Sequence, residues 1–346
     1  MRSLFILALV FGVGCVSPAP AEDGSTLERL ESLGVPPHLA TAIPSPDRNP
    51  LTPDGIELGR RLFYDPLLSG DDSISCATCH QQARAFSDGA QISSDGLSGA
   101  PLKRHTPALI NLAFMPAYFW DGGGYDLESV AFGPIGHPDE MGQSLDRLVD
   151  ELASAPLYPA LFSAAFSDGL TLPNIVRALA QFQRSLVSAD APYDRFVAGD
   201  ADALGPAALA GMALVARHCG DCHPAPFFTD FGYANNGLDQ TYADDHERLA
   251  WGRGRLTETP EDKGAYKVPT LRNAAVTAPY MHDGRFSTLR AVFDHYRFEL
   301  KYGAGLDPRL RHKAPISDRE VGQMMAFLDA LTDARFLTDP RWGPPP

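Results

Sequence analysis

Cys76-Ala77-Thr78-Cys79-His80 is one of two Cys-x-x-Cys-His motifs in the chain, and the other is Cys219-Gly220-Asp221-Cys222-His223. This motif is the attachment signature of c-type haem, because its two thiols form thioethers to the porphyrin and its histidine ligates the iron. A redox dithiol and a zinc site are the alternatives for paired cysteines, but both copies place a histidine where haem attachment requires it. The sequence therefore predicts two covalently bound c-type haems, attached through Cys76, Cys79, Cys219 and Cys222, with His80 and His223 as iron ligands.

The composition is that of a soluble globular protein, with 346 residues of which 44% are hydrophobic and 21% charged. This length predicts two domains of ordinary size. The net charge of −14 argues against binding to nucleic acid or to an anionic membrane surface, and it favours a basic or dipolar protein partner. Acidity that only keeps the protein soluble explains the charge equally well. Composition does not determine the oligomeric state, and a homodimer is one of the options.

The N-terminus has the pattern of a secretory signal, in which Arg2 precedes the apolar run 4–10 and small residues follow. The run is too short to span a bilayer, and no later stretch is long enough. We predict a signal peptide at residues 1–21, with lipid attachment at Cys15 as the alternative. Haem attachment to this motif takes place outside the cytoplasm, so we expect a periplasmic protein, either soluble or anchored through Cys15. The other four cysteines all belong to the haem motifs, which leaves none for a structural disulfide.

A predicted helix leads into each haem motif. Thr52 and Pro53 provide the cap and the first-turn proline of one helix, and Pro206 opens the other. A helix followed by a haem attachment loop is typical of class I cytochromes c. We therefore predict a mainly α-helical fold of two class I cytochrome c-like domains, each with one covalently attached haem. Their predicted ranges are 51–200 and 201–346, after an N-terminal arm at 22–50.

Further helices are predicted where apolar residues recur at helical spacing, over 145–152 and over 175–186. Another follows Ser317 and Glu320, which form a capping box. No convincing alternating pattern of strand residues is found. Residues 233–266 form a long polar loop that we expect to cover the second haem.

An internal repeat links the two halves of the chain, because residues 105–122 align without gaps on residues 267–284. Seven of the eighteen positions are identical, namely Pro107/Pro269, Leu109/Leu271, Asn111/Asn273, Ala113/Ala275, Tyr118/Tyr280, Asp121/Asp283 and Gly122/Gly284. Duplication of a cytochrome domain explains this most economically. The copies differ at Trp120 and His282, so we expect the two haems to have different roles.

Together these motifs resemble the family of bacterial di-haem cytochrome c peroxidases and MauG. The resemblance extends over about residues 55–335. It is carried by the two haem motifs, by Phe119–Gly122, by Gly133–Ile135 with Glu140-Met141, by Val268–Asn273 and by Tyr280–Gly284. It implies that the haem of His80 reacts with peroxide and that the haem of His223 relays electrons.

The resemblance also assigns roles to two side chains near the haems. Glu140 would move a proton between the peroxide oxygens, although by itself a glutamate here is more often a solvated surface charge. Trp120 would lie between the two haems and assist electron transfer, although by itself it would more often be a packing residue at a turn. Val130 stands where the family often has a glutamine near the acid, so the distal hydrogen bonds differ from the usual pattern.

The sixth ligand of the second haem has two candidates. Family members place either Met or Tyr fourteen residues after the histidine of the His-Asp-Gly motif, and from His282 that position is Tyr296. A phenolate ligand lowers the reduction potential relative to a thioether and favours high-valent iron. Met281 is the rival, although in the repeat it pairs with Phe119, which cannot ligate iron. We expect Tyr296.

A calcium site between the domains is a further expectation from the resemblance, with main-chain oxygens of Thr277 and Pro279 as ligands. His105 stands where the family commonly supplies an Asn oxygen, and imidazole is a poor calcium ligand. We therefore expect His105 to be a hydrogen-bonded loop residue. No counterpart of the family's distal histidine is found in the loop 81–102. His218 is expected at the solvent-facing end of its helix.

The predicted function is reduction of hydrogen peroxide to water in the periplasm, with electrons from a small donor such as a cytochrome c or a cupredoxin. One alternative keeps the chemistry but changes the substrate, as in MauG-like oxidation of side chains of a partner protein through high-valent haem. The other alternative is a di-haem electron carrier without catalysis. It predicts two six-coordinate irons that do not react with peroxide.

Overall fold

A computed structural model describes residues 36–40, 42–243, 247–303, 305–312 and 314–346. The predicted signal peptide, Cys15 and most of the predicted arm lie outside these residues. The described part is mostly helical, and none of its helices is long and apolar enough to cross a membrane.

The helices vary in length and are joined by irregular segments. The α-helices are α1 (Pro53–Tyr64), α2 (Cys76–Cys79), α3 (Leu127–Val130), α4 (Phe132–Gly136), α5 (Leu145–Ser154), α6 (Tyr158–Ala165), α7 (Leu172–Ser185), α8 (Pro192–Val197), α9 (Pro206–His218), α10 (Gly254–Thr257), α11 (Leu289–Asp294) and α12 (Asp318–Asp329). A π-helical turn, His295–Glu299, continues α11. Short 3-10 turns lie at Pro66–Leu68, Gln82–Arg84, Leu112–Phe114, Leu249–Trp251, Pro260–Asp262, Ala274–Val276 and Pro308–Leu310.

The predicted starts of the helices before the haem motifs are confirmed. The Thr52 side chain accepts a hydrogen bond from Gly55 N and caps α1, and Pro53 is its first residue. Pro206 is the first residue of α9, which has Gly205 at its N-cap and no side-chain cap. The capping box of Ser317 and Glu320 is present at the start of α12.

The long polar loop has more regular structure than we expected. Strand β1 (Tyr233–Ala234) pairs antiparallel with β2 (Tyr266–Lys267), so the two ends of the loop meet. Helix α10 lies between these strands. The pairing holds Tyr233 opposite Lys267.

Two helix pairs form the framework of the fold, with α1 packed on α7 and α9 packed on α12. A glycine lies at each crossing. A Cβ at Gly59 would overlap the Ala178 carbonyl oxygen and come within 2.9 Å of the Phe182 Cβ. A Cβ at Gly211 would overlap the Gln323 carbonyl oxygen and come within 2.9 Å of the Phe327 Cβ. The two crossings therefore have the same geometry.

Substitution of either crossing glycine by alanine is expected to destabilise the fold. The added methyl group cannot fit without moving the helices apart, and overpacking of this kind costs about 1–3 kcal/mol. Gly322→Ala is the matched control, because this glycine lies in α12 and has no atom within 4 Å of its added Cβ. The control should gain about 0.5–1 kcal/mol from helix propensity. Chemical unfolding of the three variants would measure the difference, and equal stabilities would contradict the crossing geometry.

The hydrophobic core has two main clusters. One surrounds the aromatic rings of Phe63, Phe86 and Phe182, and it also includes Phe336 and Trp342 from the end of the chain. The other surrounds Phe228, Met324 and Phe327, with Tyr193 at its edge. Each cluster packs against one haem motif, since Cys76 contacts the first and Cys219 the second.

The two copies of the sequence repeat have the same local geometry. Asn111 and Asn273 both adopt the left-handed conformation, with φ of 56° and 58°. Both side chains bind the connecting segment at Ser188, because Asn111 Nδ2 donates to its carbonyl oxygen at 3.2 Å and Asn273 Nδ2 donates to its hydroxyl oxygen at 2.9 Å. The repeat thus joins both halves of the chain to one residue.

Candidate haem sites

The first haem motif begins in helix α2, and His80 follows its last residue. The Nδ1 atom of His80 donates a hydrogen bond to the Phe86 carbonyl oxygen at 2.8 Å. A carbonyl can only accept, so Nε2 is left as the ring nitrogen with a free lone pair for a metal. Burial lowers the pKa of His80, which keeps the imidazole neutral as ligation requires.

The second haem motif repeats this arrangement at the end of α9. The Nδ1 atom of His223 donates to the Phe228 carbonyl oxygen at 3.0 Å. Burial also lowers the pKa of His223. Phe86 and Phe228 both have positive φ angles, 60° and 53°, which turn their carbonyl groups toward the histidines. Both histidines therefore present Nε2 in the same tautomer.

A cavity of about 470 Å³ lies beside the second motif. Its wall includes Cys219, Cys222 and His223, together with both candidate sixth ligands, Met281 and Tyr296. Cavities of a few hundred cubic ångströms with mostly apolar walls are typical of cofactor sites. The paired thiols, the oriented imidazole and this cavity fit a c-type haem.

The environment of the first motif suits a neutral sulfur. The four motif cysteines are thiols, and burial raises the pKa of Cys76 to about 12. A thioether sulfur is neutral, so covalent attachment to haem suits this buried position. Within the described ranges, no three His, Cys, Asp or Glu side chains come together as a metal site.

Glu140 lies close to the first haem motif. The neighbouring Met141 is buried, and the Cys76 Sγ atom lies 3.9 Å from its sulfur. The main chain of Glu140 is fixed by hydrogen bonds to Leu97 N at 2.7 Å and to the His137 carbonyl oxygen at 3.0 Å. Burial raises the pKa of the Glu140 carboxyl group, which makes its carboxylate a stronger base than that of an exposed glutamate.

Trp120 lines the cavity of the second motif and is held by a short chain of hydrogen bonds. Its Nε1 atom donates to the His105 carbonyl oxygen at 2.7 Å, and His105 N donates to the His282 carbonyl oxygen at 2.9 Å. The same cavity reaches Ser87, the residue after the Phe86 carbonyl that orients His80. The indole thus lies on a wall that extends from the second motif toward the loop of the first.

Tyr296 lies in the π-helical turn after α11. Burial raises the pKa of its phenol to about 12. Met281 has a positive φ of 78°, and its sulfur accepts a hydrogen bond from Asn236 Nδ2 at 3.3 Å. Both side chains line the cavity, so the structure brings the two rival ligands to the same site.

The expected calcium residues also lie on this wall, since Thr277 and Pro279 line the cavity. His105 is buried, and its Nδ1 atom donates to the Ala90 carbonyl oxygen at 2.8 Å. Its contacts are those of a hydrogen-bonded loop histidine. Val130 packs beside the small apolar cluster that contains Tyr118 and Leu127.

Three residues of this wall were not singled out correctly from the sequence. The expectation that His218 faces solvent is wrong, because it is 8% exposed and lines the cavity. Lys267 also lines the cavity, and burial lowers its pKa to about 8. In the repeat Lys267 aligns with His105, and this alignment was the feature of the sequence that could have pointed to it. Asn236 gave no sequence signal, since it lies in a polar loop among other polar residues.

Comparison with known proteins identifies the family. The family described as di-haem cytochrome c peroxidase matches residues 53–202. The methylamine utilization protein MauG of Methylorubrum extorquens is 38% identical over 92% of this chain and 89% of its own length. The cytochrome c551 peroxidase of Nitrosomonas europaea is 34% identical over 82% of this chain and 81% of its own.

A solved structure agrees with these relatives. The crystal structure of a MauG-like protein associated with microbial copper homeostasis superposes with a TM-score of 0.83 at 30% identity. The match covers 90% of this chain and 98% of that one. The resemblance inferred from the motifs is confirmed, and the chain belongs to the di-haem cytochrome c peroxidase family.

Proposed function

We propose that the chain is a periplasmic peroxidase that carries one c-type haem at Cys76–His80 and another at Cys219–His223, in domains 51–200 and 201–346. It reduces hydrogen peroxide to water with electrons from a small redox protein. The observation that carries this proposal is the pair of matching His–carbonyl hydrogen bonds, with Glu140 beside the first motif only. The two sites therefore differ. The first has an acid group, Glu140, whereas the second has a cavity lined by the candidate ligands Met281 and Tyr296.

The bound haems supply the iron that exchanges electrons with peroxide and with the donor. Glu140 takes the proton from one peroxide oxygen and returns it to the other, which leaves as water. Its partly buried carboxyl group holds that proton because burial raises its pKa. The overall change consumes two electrons and two protons for each peroxide, and two waters form.

Trp120 connects the two haem regions in this proposal. Its indole is fixed by the hydrogen bond to the His105 carbonyl oxygen and lies in the wall of the cavity that contains the second motif and reaches Ser87. A fixed aromatic ring between two redox centres shortens the distance that an electron has to cross in one step. Tyr296, with Met281 as its rival, would ligate the iron of the second haem, and the main-chain oxygens of Thr277 and Pro279 would hold calcium.

The electron donor is proposed to be a small cytochrome c or cupredoxin with a basic contact face. The chain carries a net charge of −14, so a partner with positive charges around its redox centre is attracted electrostatically. An acidic enzyme and a basic donor associate faster at low salt. Salt dependence of turnover would show whether this attraction contributes.

A MauG-like reaction is the second candidate, in which a partner protein's side chains are oxidised. It is favoured by a tyrosine, rather than a methionine, at the position fourteen residues after His282. The identity to MauG from Methylorubrum extorquens is also higher than that to the peroxidase of Nitrosomonas europaea, 38% against 34%. A non-catalytic carrier is less well supported, because Glu140 then has no role beside the first motif.

The test uses the purified di-haem protein in its fully oxidised and half-reduced forms. Hydrogen peroxide is added, and oxidation of a reduced small cytochrome c is followed. Rapid turnover that requires half-reduction supports the peroxidase and counts against Tyr296 as a ligand. Reaction of the oxidised form with peroxide, a long-lived oxidised product and little cytochrome turnover support the MauG-like reaction. If neither form consumes peroxide, the protein is an electron carrier.

A further inference from the structure

Asn236 lies between the two candidate ligands of the second haem. Its Nδ2 atom donates a hydrogen bond to the Met281 sulfur at 3.3 Å. Its side chain also hydrogen-bonds the Tyr296 hydroxyl group. An amide nitrogen carries two hydrogens, so one Asn can serve two acceptors at once. One small side chain therefore contacts both groups that compete for the iron.

The main chain around Asn236 is fixed to the turn that carries Tyr296. His295 is buried, and its Nε2 atom donates to the Asn236 carbonyl oxygen at 2.9 Å. On the other side, Lys301 N donates to the Gly237 carbonyl oxygen at 2.8 Å. These contacts join Asn236 and Gly237 to two residues that flank Tyr296, namely His295 directly before it and Lys301 five positions after it. The main chain that carries the amide is therefore held in place relative to the turn that carries the phenol.

We propose that Asn236 is a positioning residue that selects the sixth ligand of the second haem. One hydrogen of its amide engages a lone pair of the Met281 sulfur and holds the thioether in a position away from the iron, while its other hydrogen orients the Tyr296 oxygen toward the iron. A thioether engaged in a hydrogen bond has less electron density to offer a metal. A phenol oxygen with a fixed orientation pays less entropy on ligation. Both effects favour Tyr296 over Met281, and this inference rests on the haem assignment to His223 proposed above.

The selection has a consequence for the electron-transfer properties of the site. Tyrosine oxygen disfavours ferrous iron relative to methionine sulfur, so the selected ligand sets a low reduction potential. Without Asn236, Met281 becomes available from the same cavity wall. The second haem would then behave as a methionine-ligated, high-potential centre in part of the molecules.

The experiment compares Asn236→Leu and Asn236→Ala with a matched control, Asn235→Leu, in the holoprotein. Asn235 is the adjacent residue, and it hydrogen-bonds Tyr242 and the Lys263 carbonyl oxygen instead of the candidate ligands. The readouts are haem content per chain, the reduction potential of the second haem and the near-infrared absorption band of methionine-ligated ferric haem. None of these depends on peroxidase activity.

Both Asn236 variants are expected to show the methionine band and at least a tenfold shift of the ferric-to-ferrous equilibrium toward ferrous iron. That shift corresponds to about 59 mV for a one-electron couple. Adding Met281→Leu to Asn236→Leu should abolish the band, and Asn235→Leu should keep the wild-type spectrum. An unchanged potential and spectrum in both Asn236 variants would overturn the proposal. Loss of the second haem from both Asn236 variants, but not from Asn235→Leu, would also overturn it, because a ligand selector is not needed for attachment.

Tyr296→Phe separates this proposal from the assignment on which it rests. If the wild-type spectrum and potential survive Tyr296→Phe, Tyr296 is not the ligand, and that part of the proposed function fails whatever Asn236 does. If Tyr296→Phe changes both and the Asn236 variants do not, only the selection by Asn236 fails.

Discussion

Glu140→Gln is expected to reduce the rate of peroxide reduction by about 10²–10⁴-fold, the usual contribution of a positioned acid–base group. Glutamine has the same shape as glutamate but cannot accept a proton and return it. The main-chain hydrogen bonds of residue 140 involve Leu97 N and the His137 carbonyl oxygen, so they survive the change. Steady-state peroxide turnover with equal haem content per chain measures the effect.

Asp139→Asn is the matched control for this substitution. Asp139 is the adjacent acid, and its carboxylate accepts a hydrogen bond from Ser98 at the surface at 2.9 Å. Removing one negative charge from this side chain should leave turnover nearly unchanged. A Glu140→Gln rate equal to that of Asp139→Asn would show that Glu140 takes no part in proton transfer.

The pH profile provides an independent check on Glu140. Burial raises its pKa above the ordinary glutamate value of about 4.3. The base form is lost as the pH falls through the raised pKa, so the rate should decline on the acid side at a higher pH than for an exposed glutamate. Glu140→Gln should lack this acid limb. The same limb in both proteins would assign the titration to another group.

Local sequence patterns were sufficient to predict the parts of the fold that depend on a few neighbouring residues. The cap at Thr52, the proline at the start of α9 and the capping box of α12 are each set within one helical turn. The haem motifs were recognisable for the same reason, since attachment chemistry needs its thiols and imidazole within five residues. The repeat was visible because Asn111 and Asn273 have to adopt the same unusual backbone conformation.

Contacts between distant segments could not be predicted in this way. Asn236 meets Met281, 45 residues away, and its carbonyl meets His295, 59 residues away. The path of the intervening loop determines both contacts, and no periodicity in the sequence encodes that path. The burial of His218 could not be predicted for the same reason, because it depends on other segments that form the cavity wall around it.

Arg272 is another residue that local patterns did not single out, and its loss is expected to be strongly destabilising. The guanidinium is fully buried, and it binds the Asp194 carboxylate through Nη1 at 2.8 Å and Nη2 at 2.9 Å. Arg272→Met would leave the buried Asp194 charge without its guanidinium partner, although the carboxylate keeps its hydrogen bonds to His38 Nε2 at 2.8 Å and to Ala191 N at 2.9 Å. Breaking a buried pair in this way costs about 3–5 kcal/mol. Chemical unfolding of the holoprotein measures this loss of free energy. Arg290→Gln, which breaks an exposed pair with Asp294, is the control and should change little.

The double variant Arg272→Met/Asp194→Leu distinguishes a broken ion pair from a simple packing defect. If the uncompensated charge is the cause, removing both charges should recover much of the stability that the single change loses. A double variant as unstable as the sum of the two single variants would show that the two side chains act independently.

Lowering the pH should weaken the ion pair between Asp194 and Arg272. Burial alone would raise the pKa of Asp194, but its hydrogen bonds and its attraction to Arg272 outweigh burial, so the net pKa is lowered. A lowered pKa in the folded state means that the ionised pair contributes its full stability above the unfolded aspartate value of about 3.9 and loses it as the pH falls through the folded value. The stability difference between wild type and Asp194→Asn should therefore be largest near neutral pH and shrink on acidification. Unfolding curves at several pH values measure it, and a difference that grows toward acid would reverse the sign of this electrostatic contribution.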